Sequence, residues 1–167
     1  MKEDNVIEKF NIRVYALIVN DRNEVLLSDE YFRQTPMTKF PGGGMKPGEG
    51  PIDCLRREAM EEMGREVEVL DHCYTTDFFQ QSVFYPTHQL ICIYYLARFK
   101  KSARKFGNIP VKGNKDQPVE PKEDGPHGFR WKSVHELVPE DLTFQADRKA
   151  AELLIRRFRG SSSDPIG

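Results

Sequence analysis

The chain is predicted to adopt an α/β fold, on three observations. Runs of β-branched and aromatic residues, such as Phe10–Asn20 and Thr87–Phe99, lie on both sides of one amphipathic segment beginning at Pro51. A second amphipathic segment, Gln145–Phe158, follows the last strand signal. Clusters of Gly, Pro, Asn and Asp punctuate the stretches between them. With 167 residues, 38% hydrophobic and 31% charged, the sequence suits one soluble domain. Its formal net charge of −1 argues against a general affinity for nucleic acid or membranes. No apolar run reaches the roughly 18 residues of a membrane span, and the acidic, polar start M-K-E-D-N-V-I-E-K is unlike a secretory signal. Cys54, Cys73 and Cys92 are an odd set with no paired spacing and no accompanying His. That excludes a zinc site and points to a reduced, cytoplasmic location.

Phe10–Asn20 is apolar on both faces toward its end, which suits a strand inside a sheet. Asp21-Arg22-Asn23 signals a turn, and Glu24–Ser28 a second strand, so the two read as a hairpin. Asp29–Thr38 reads as a polar loop with Tyr31, Phe32 and Arg33 leading into a glycine-rich turn. Its aromatics suit two roles equally, stacking on a base or packing on the sheet.

The central stretch is K-F-P-G-G-G-M-K-P-G-E-G-P-I-D-C-L-R-R-E-A-M-E-E-M-G-R-E, from Lys39 to Glu66. Pro51 suits the first helical position and Gly64 the end of the helix. At about 100° per residue, Ile52, Leu55, Ala59 and Met63 form a stripe that favours burial. Glu58 and Glu62 lie beside that stripe, with Glu61 about 60° further round. Carboxylates on adjacent turns repel one another, so their clustering suggests a cation to hold; oxygen ligands suit Mg2+ or Mn2+. Cys54 falls near Glu61 on the wheel and reads as a small, semi-buried filler rather than a reactive thiol.

Val67–Asp77 returns as a strand, and the aromatic loop Phe78–Pro86 is expected to pack, against substrate or a second subunit. Thr87–Phe99 is a long strand, on which His88 reads as a sheet-edge residue. Residues 100–124 form a basic insertion carrying Lys100, Lys101, Arg104, Lys105, Lys112 and Lys115, either a grip for phosphates or a solvated loop balanced by the acids that follow. Gly128–Lys132 is a short strand with the single Trp; Ser133 and Glu136 form a capping box for a short helix. The Gln145–Phe158 helix directs Ala146, Ala150, Leu153, Leu154 and Phe158 to one face, and 160–167 reads as a loose tail.

The central stretch resembles the Nudix box, G-x5-E-x7-R-E-U-x-E-E-x-G-U, where U is apolar. Gly43, Glu49, Arg57, Glu58, Glu61, Glu62 and Gly64 fill the fixed positions in register, with Ala59 at the first U. Seven such matches at fixed spacing would arise by chance about once in 10^9 starts. Arg65 departs from the final apolar position, which is expected to disturb packing after the helix but removes no carboxylate.

The resemblance implies an α/β/α sandwich, a mixed sheet between helices, over about residues 8–159 of one domain spanning 1–167, with a Trp-bearing strand such as that of Trp131 in the core. It implies a pyrophosphohydrolase acting on a small-molecule nucleoside diphosphate derivative. It also implies Mg2+ or Mn2+ held by Glu58, Glu61, Glu62 and the Gly42 carbonyl. Either Glu61 or Glu62 would double as general base, and Arg57 would pair with Glu49 or Glu61 and steady the carboxylates. Gly43 and Gly44 would let the backbone approach the pyrophosphate. Lys39, Arg33 and Phe32, with Lys46 and Arg13, are candidate substrate contacts, and dimers are frequent in the family. A rival assignment is a catalytically silent binding or regulatory module of the same fold; a full set of box glutamates argues against it.

Overall fold

The computed structural model describes residues 6–101 and 125–160. Apart from Lys100 and Lys101, the basic insertion falls outside those residues, as does the tail after 160. The elements run β1 (Lys9–Ile18), β2 (Glu24–Phe32), β3 (Thr35–Lys39), β4 (Gly42–Gly44), α1 (Pro51–Met63), β5 (Val67–Thr75), β6 (His88–Phe99), β7 (Gly125–Ser133), a 3-10 turn at Pro139–Asp141, and α2 (Gln145–Gly160). No helix among the described residues is long and apolar enough to cross a membrane.

The strands form a four-stranded sheet in the order β4-β1-β6-β5 and a three-stranded sheet in the order β3-β2-β7. The first is mixed: β1 runs parallel to β6 and antiparallel to β4, and β5 is antiparallel to β6. Two cores result. Along β1, Val14, Ala16 and Ile18 pack with Cys54, Leu55 and Ala59 of α1, while Tyr15 and Leu17 pack with Ala146, Ala150 and Leu154 of α2. This alternation is the period of two of a strand covered on both faces. The expected α/β/α layering with a mixed sheet is therefore present.

Several local readings need correction. β1 and β2 meet at their turn, through Val19 and Val25, then diverge into different sheets. Both edges of β1 are occupied, by β4 and β6, so no hairpin can extend between them. Asp29–Thr38 is not a loop. β2 continues to Phe32, turns at Arg33 and Gln34 with φ of 47° and 65°, and returns as β3. Ile52 does not join the buried stripe of α1 and is 37% exposed; Cys54 takes its place at 0%. The Ser133 capping box forms only a turn, closed by the Glu136 amide donating to the Ser133 carbonyl. Trp131 is half-buried, edge-on to Phe99. Arg65 packs after all, its guanidinium 3.9 Å from the Phe99 ring centroid.

Candidate active site

The glycine strand is laid against β1 in a fixed register, Tyr15 opposite Gly42, Val14 opposite Gly43 and Arg13 opposite Gly44. Gly42 has φ of 147°, and a Cβ there would lie 2.1 Å from the Val14 carbonyl oxygen. Only glycine fits so close a backbone approach. A Cβ at Gly43 would stand 2.4 Å from the carboxyl carbon of Glu58, so the missing side chain is the seat of that carboxylate. α1 starts after Gly50, whose amide donates to the Asp53 carboxylate, and ends at Gly64 in the left-handed conformation. Glu58, Glu61 and Glu62 are thereby directed toward the glycine strand or its rim.

Arg57 is the hub. Its guanidinium binds both oxygens of Glu49 and donates to Glu58 at 2.7 Å, to Glu61 at 3.1 Å and to the Gly44 carbonyl at 3.0 Å. Planar bidentate pairing of this kind is what arginine does and lysine cannot. Glu49 also accepts from the Lys46 amide, and these contacts, led by Arg57, hold its carboxyl down at about 2. The expected Arg57 partners, Glu49 and Glu61, are both engaged, and Glu58 joins them.

Glu62 differs from its neighbours. One of its oxygens, Oε2, is buried and has no hydrogen-bond partner. Burial pushes its pKa up to about 7, against the pull of the Lys39 ammonium. Among the described residues no three His, Cys, Asp or Glu side chains converge into a ready-made cage. Arg57 draws Glu58 and Glu61 to itself instead, with Lys46 3.9 Å from Glu61.

Beside the glycine strand opens a cavity of about 240 Å3. Its floor is the paired faces of β1 and β6, with Asn11, Arg13 and Tyr15 alongside Leu90, Cys92 and Tyr94. Phe32 lies at its rim, 4.4 Å from Phe84 between ring centroids, and the Arg33 guanidinium sits over Phe32 and Tyr85. Arg13 lines the same cavity and donates to the Tyr15 hydroxyl at 2.6 Å. Lys39 is not at the surface but 5% exposed in the cavity wall. Lys46 stands outside the cavity, at the rim by Glu61.

The wall also holds two acids that sequence reasoning missed, Glu30 and Asp147, 8% and 2% exposed. Burial pushes Asp147 up to about 7, although the Tyr94 hydroxyl and the Phe40 amide donate to it. Asp147 reads in sequence as an ordinary acid in the first turn of a helix, and Glu30 as part of a polar loop. Had that loop been assigned as a strand, Glu30 could have been recognised as an acid on a covered face. The three cysteines are unpaired, and burial pushes Cys54 up to about 11 and Cys92 to about 12, which makes both poor nucleophiles. His88 stands at the start of β6 against β1, stacked on Tyr85, its Nδ1 without a hydrogen-bond partner.

The NUDIX domain family model matches residues 9–154. The chain belongs to the NUDIX domain family. Solved structures share the fold. A MutT NUDIX hydrolase from Burkholderia pseudomallei is similar at 24% identity and a TM-score of 0.62, over 87% of this chain and 98% of that one. An ADP-ribose pyrophosphatase from Streptococcus suis is similar at 17% identity and a TM-score of 0.53, over 94% and 96%. A UDP-X diphosphatase matches at 17% identity and a TM-score of 0.58, over 96% and 68%. In this Nudix chain the box residues are the glycine strand, Glu49 and the carboxylates of α1 described above.

Proposed function

We propose that this Nudix chain is a Mg2+- or Mn2+-dependent cytoplasmic hydrolase that cleaves the pyrophosphate bond of a nucleoside diphosphate linked to another moiety. The observation that carries this function is Glu62. An acid with one oxygen buried and unpartnered, beside a strand of three glycines, is costly to keep unless something cationic completes it. The donor set fits a hard divalent ion, since Glu58, Glu61, Glu62 and the Gly42 carbonyl offer only oxygen. When bound, such an ion supplies neutralising charge to the phosphate oxygens and makes water a better nucleophile.

The chain's own residues do the rest. Arg57 fixes Glu49 and the Gly44 carbonyl, so the turn that receives the phosphates cannot sag away from α1. Gly43 and Gly44 leave the backbone bare where a pyrophosphate approaches. Glu62, poised near neutrality, is suited to take a proton from the attacking water. The adjoining cavity, with the Phe32 and Arg33 rim above and Asp147 below, takes the nucleoside part.

The test is a panel of nucleotide sugars, ADP-ribose, dinucleoside polyphosphates and oxidised nucleoside triphosphates, each with Mg2+ and with Mn2+, products resolved by chromatography. A nucleoside monophosphate released from at least one of them is expected. Absence of turnover across the whole panel with both ions would overturn the assignment in favour of a binding module.

A further inference from the structure

Lys39 stands where the cavity meets the glycine strand. Its ammonium donates to the Gly42 carbonyl at 3.2 Å, pairs with Glu30 at 3.2 Å, and lies 5.3 Å from the centroid of the Tyr15 ring. Burial works against this charge, yet Tyr15 and Glu30 outweigh it, with Glu62 contributing. The contact is built in rather than casual. Lys39 is held opposite Ser28 in the β2–β3 ladder, the Ser28 hydroxyl donates to Glu30 at 2.9 Å, and Gly42 is held opposite Tyr15 in the β1–β4 ladder. Two rigid ladders thus press a permanent positive charge against a carbonyl and toward an unpartnered carboxylate.

We propose that Lys39 is the resident cation of this site: its ammonium competes with a divalent ion for the Gly42 carbonyl and the field of Glu62, and Glu30 sets how strongly it competes. This rests on the assignment of Gly42 and Glu62 as ion ligands. An ion taken up at Gly42 faces an ammonium a few ångströms away in a poorly solvated setting, where like charges repel strongly. The bare ion is therefore held weakly. An ion arriving with a polyphosphate brings the negative charge that offsets the repulsion. Lys39 is thus a positioning residue that makes the site select the ion–nucleotide complex over the free ion. The surface role assigned from sequence, a direct grip on phosphate, does not fit its burial.

The experiment titrates the full chain with Mn2+, reading free Mn2+ by electron paramagnetic resonance in the absence of nucleotide, with circular dichroism to check folding. Lys39→Met is expected to tighten Mn2+ about tenfold. The double variant Lys39→Met with Glu30→Gln should also tighten it, by less because no extra carboxylate is freed. It stands in if Lys39→Met fails to fold, because removing both charges of a buried pair is far milder than removing one. Glu30→Gln alone, which strips the ammonium of its partner, should weaken Mn2+ several-fold. Unchanged or weaker binding in the Lys39→Met and double variants overturns the proposal. Glu58→Gln separates the two levels: if it leaves Mn2+ binding unaltered the ion site itself is misplaced, whereas weakening there beside no effect at Lys39 defeats only the competition.

Discussion

Glu62 and Gly43 show how single residues set up the site. Glu62→Gln keeps the shape of the side chain but cannot accept a proton or supply full negative charge. Turnover on whichever panel substrate is cleaved should fall by about 10^2–10^4-fold, with an unaltered circular dichroism spectrum. Full activity in that variant would remove Glu62 from the chemistry. Gly43→Ala tests the other half of the geometry. The added Cβ would stand 2.4 Å from the Glu58 carboxyl carbon, and the yielding atom is the end of a flexible side chain. Folding should survive while Glu58 is displaced, so Mn2+ affinity should drop about tenfold with little change in melting temperature. These residues were legible in the sequence because their relation is local: helix spacing and a glycine turn place them whatever the rest of the chain does. Glu30 and Asp147 were not. Each faces the cavity only because distant strands and α2 assemble around it, and that long-range pairing leaves no mark on spacing.

α1 is held at both ends by features that can be read from the chain. Pro51 starts it and Gly64 ends it with φ of 63°, the Gly64 amide donating to the Met60 carbonyl at 3.0 Å. Gly64→Ala forces a Cβ into the left-handed region and should cost about 1 kcal/mol, seen as a lower midpoint in urea with an unchanged slope. Arg57 tests the connection between helix and turn. Arg57→Lys keeps the charge but loses the planar fork that spans Glu49, Glu58 and the Gly44 carbonyl at once. The maximal rate should fall more than tenfold while stability changes little, since the guanidinium lies at the rim of the site. Helix boundaries were legible because capping chemistry is local. Strand partnership was less so: the Asp21–Asn23 turn correctly predicted a reversal, but whether two strands stay paired is decided by which edges are already taken, and β1 had none left to give.

At the scale of the molecule, Asp147 ties the layers together. It lies on α2, accepts from Tyr94 of β6 and from the Phe40 amide ahead of the glycine strand, and is sealed from solvent at 2% exposure. Its pKa is raised to about 7, chiefly by burial, whereas the unfolded chain offers an ordinary value near 3.9. The folded state therefore binds this proton more tightly than the unfolded state. The resulting stability is complete below about pH 4 and is lost progressively as pH rises to about 7, beyond which the carboxylate is charged in both states. Each pH unit of that separation is worth about 1.4 kcal/mol, so the loss is on the order of a few kcal/mol at most. Asp147→Asn keeps an oxygen for Tyr94 and removes the titration. Against the wild type, its melting temperature should gain with pH between about 5 and 7, the difference reaching a plateau above about pH 7.5. A constant difference across that range would mean that Asp147 is already ionised in the folded protein, held by Lys39 and the Phe40 amide more firmly than burial opposes it. The same experiment with a cleaved nucleotide present separates stability from recognition: if Asp147 also contacts the nucleoside, the Michaelis constant of the wild type should change over the same pH interval and that of Asp147→Asn should not.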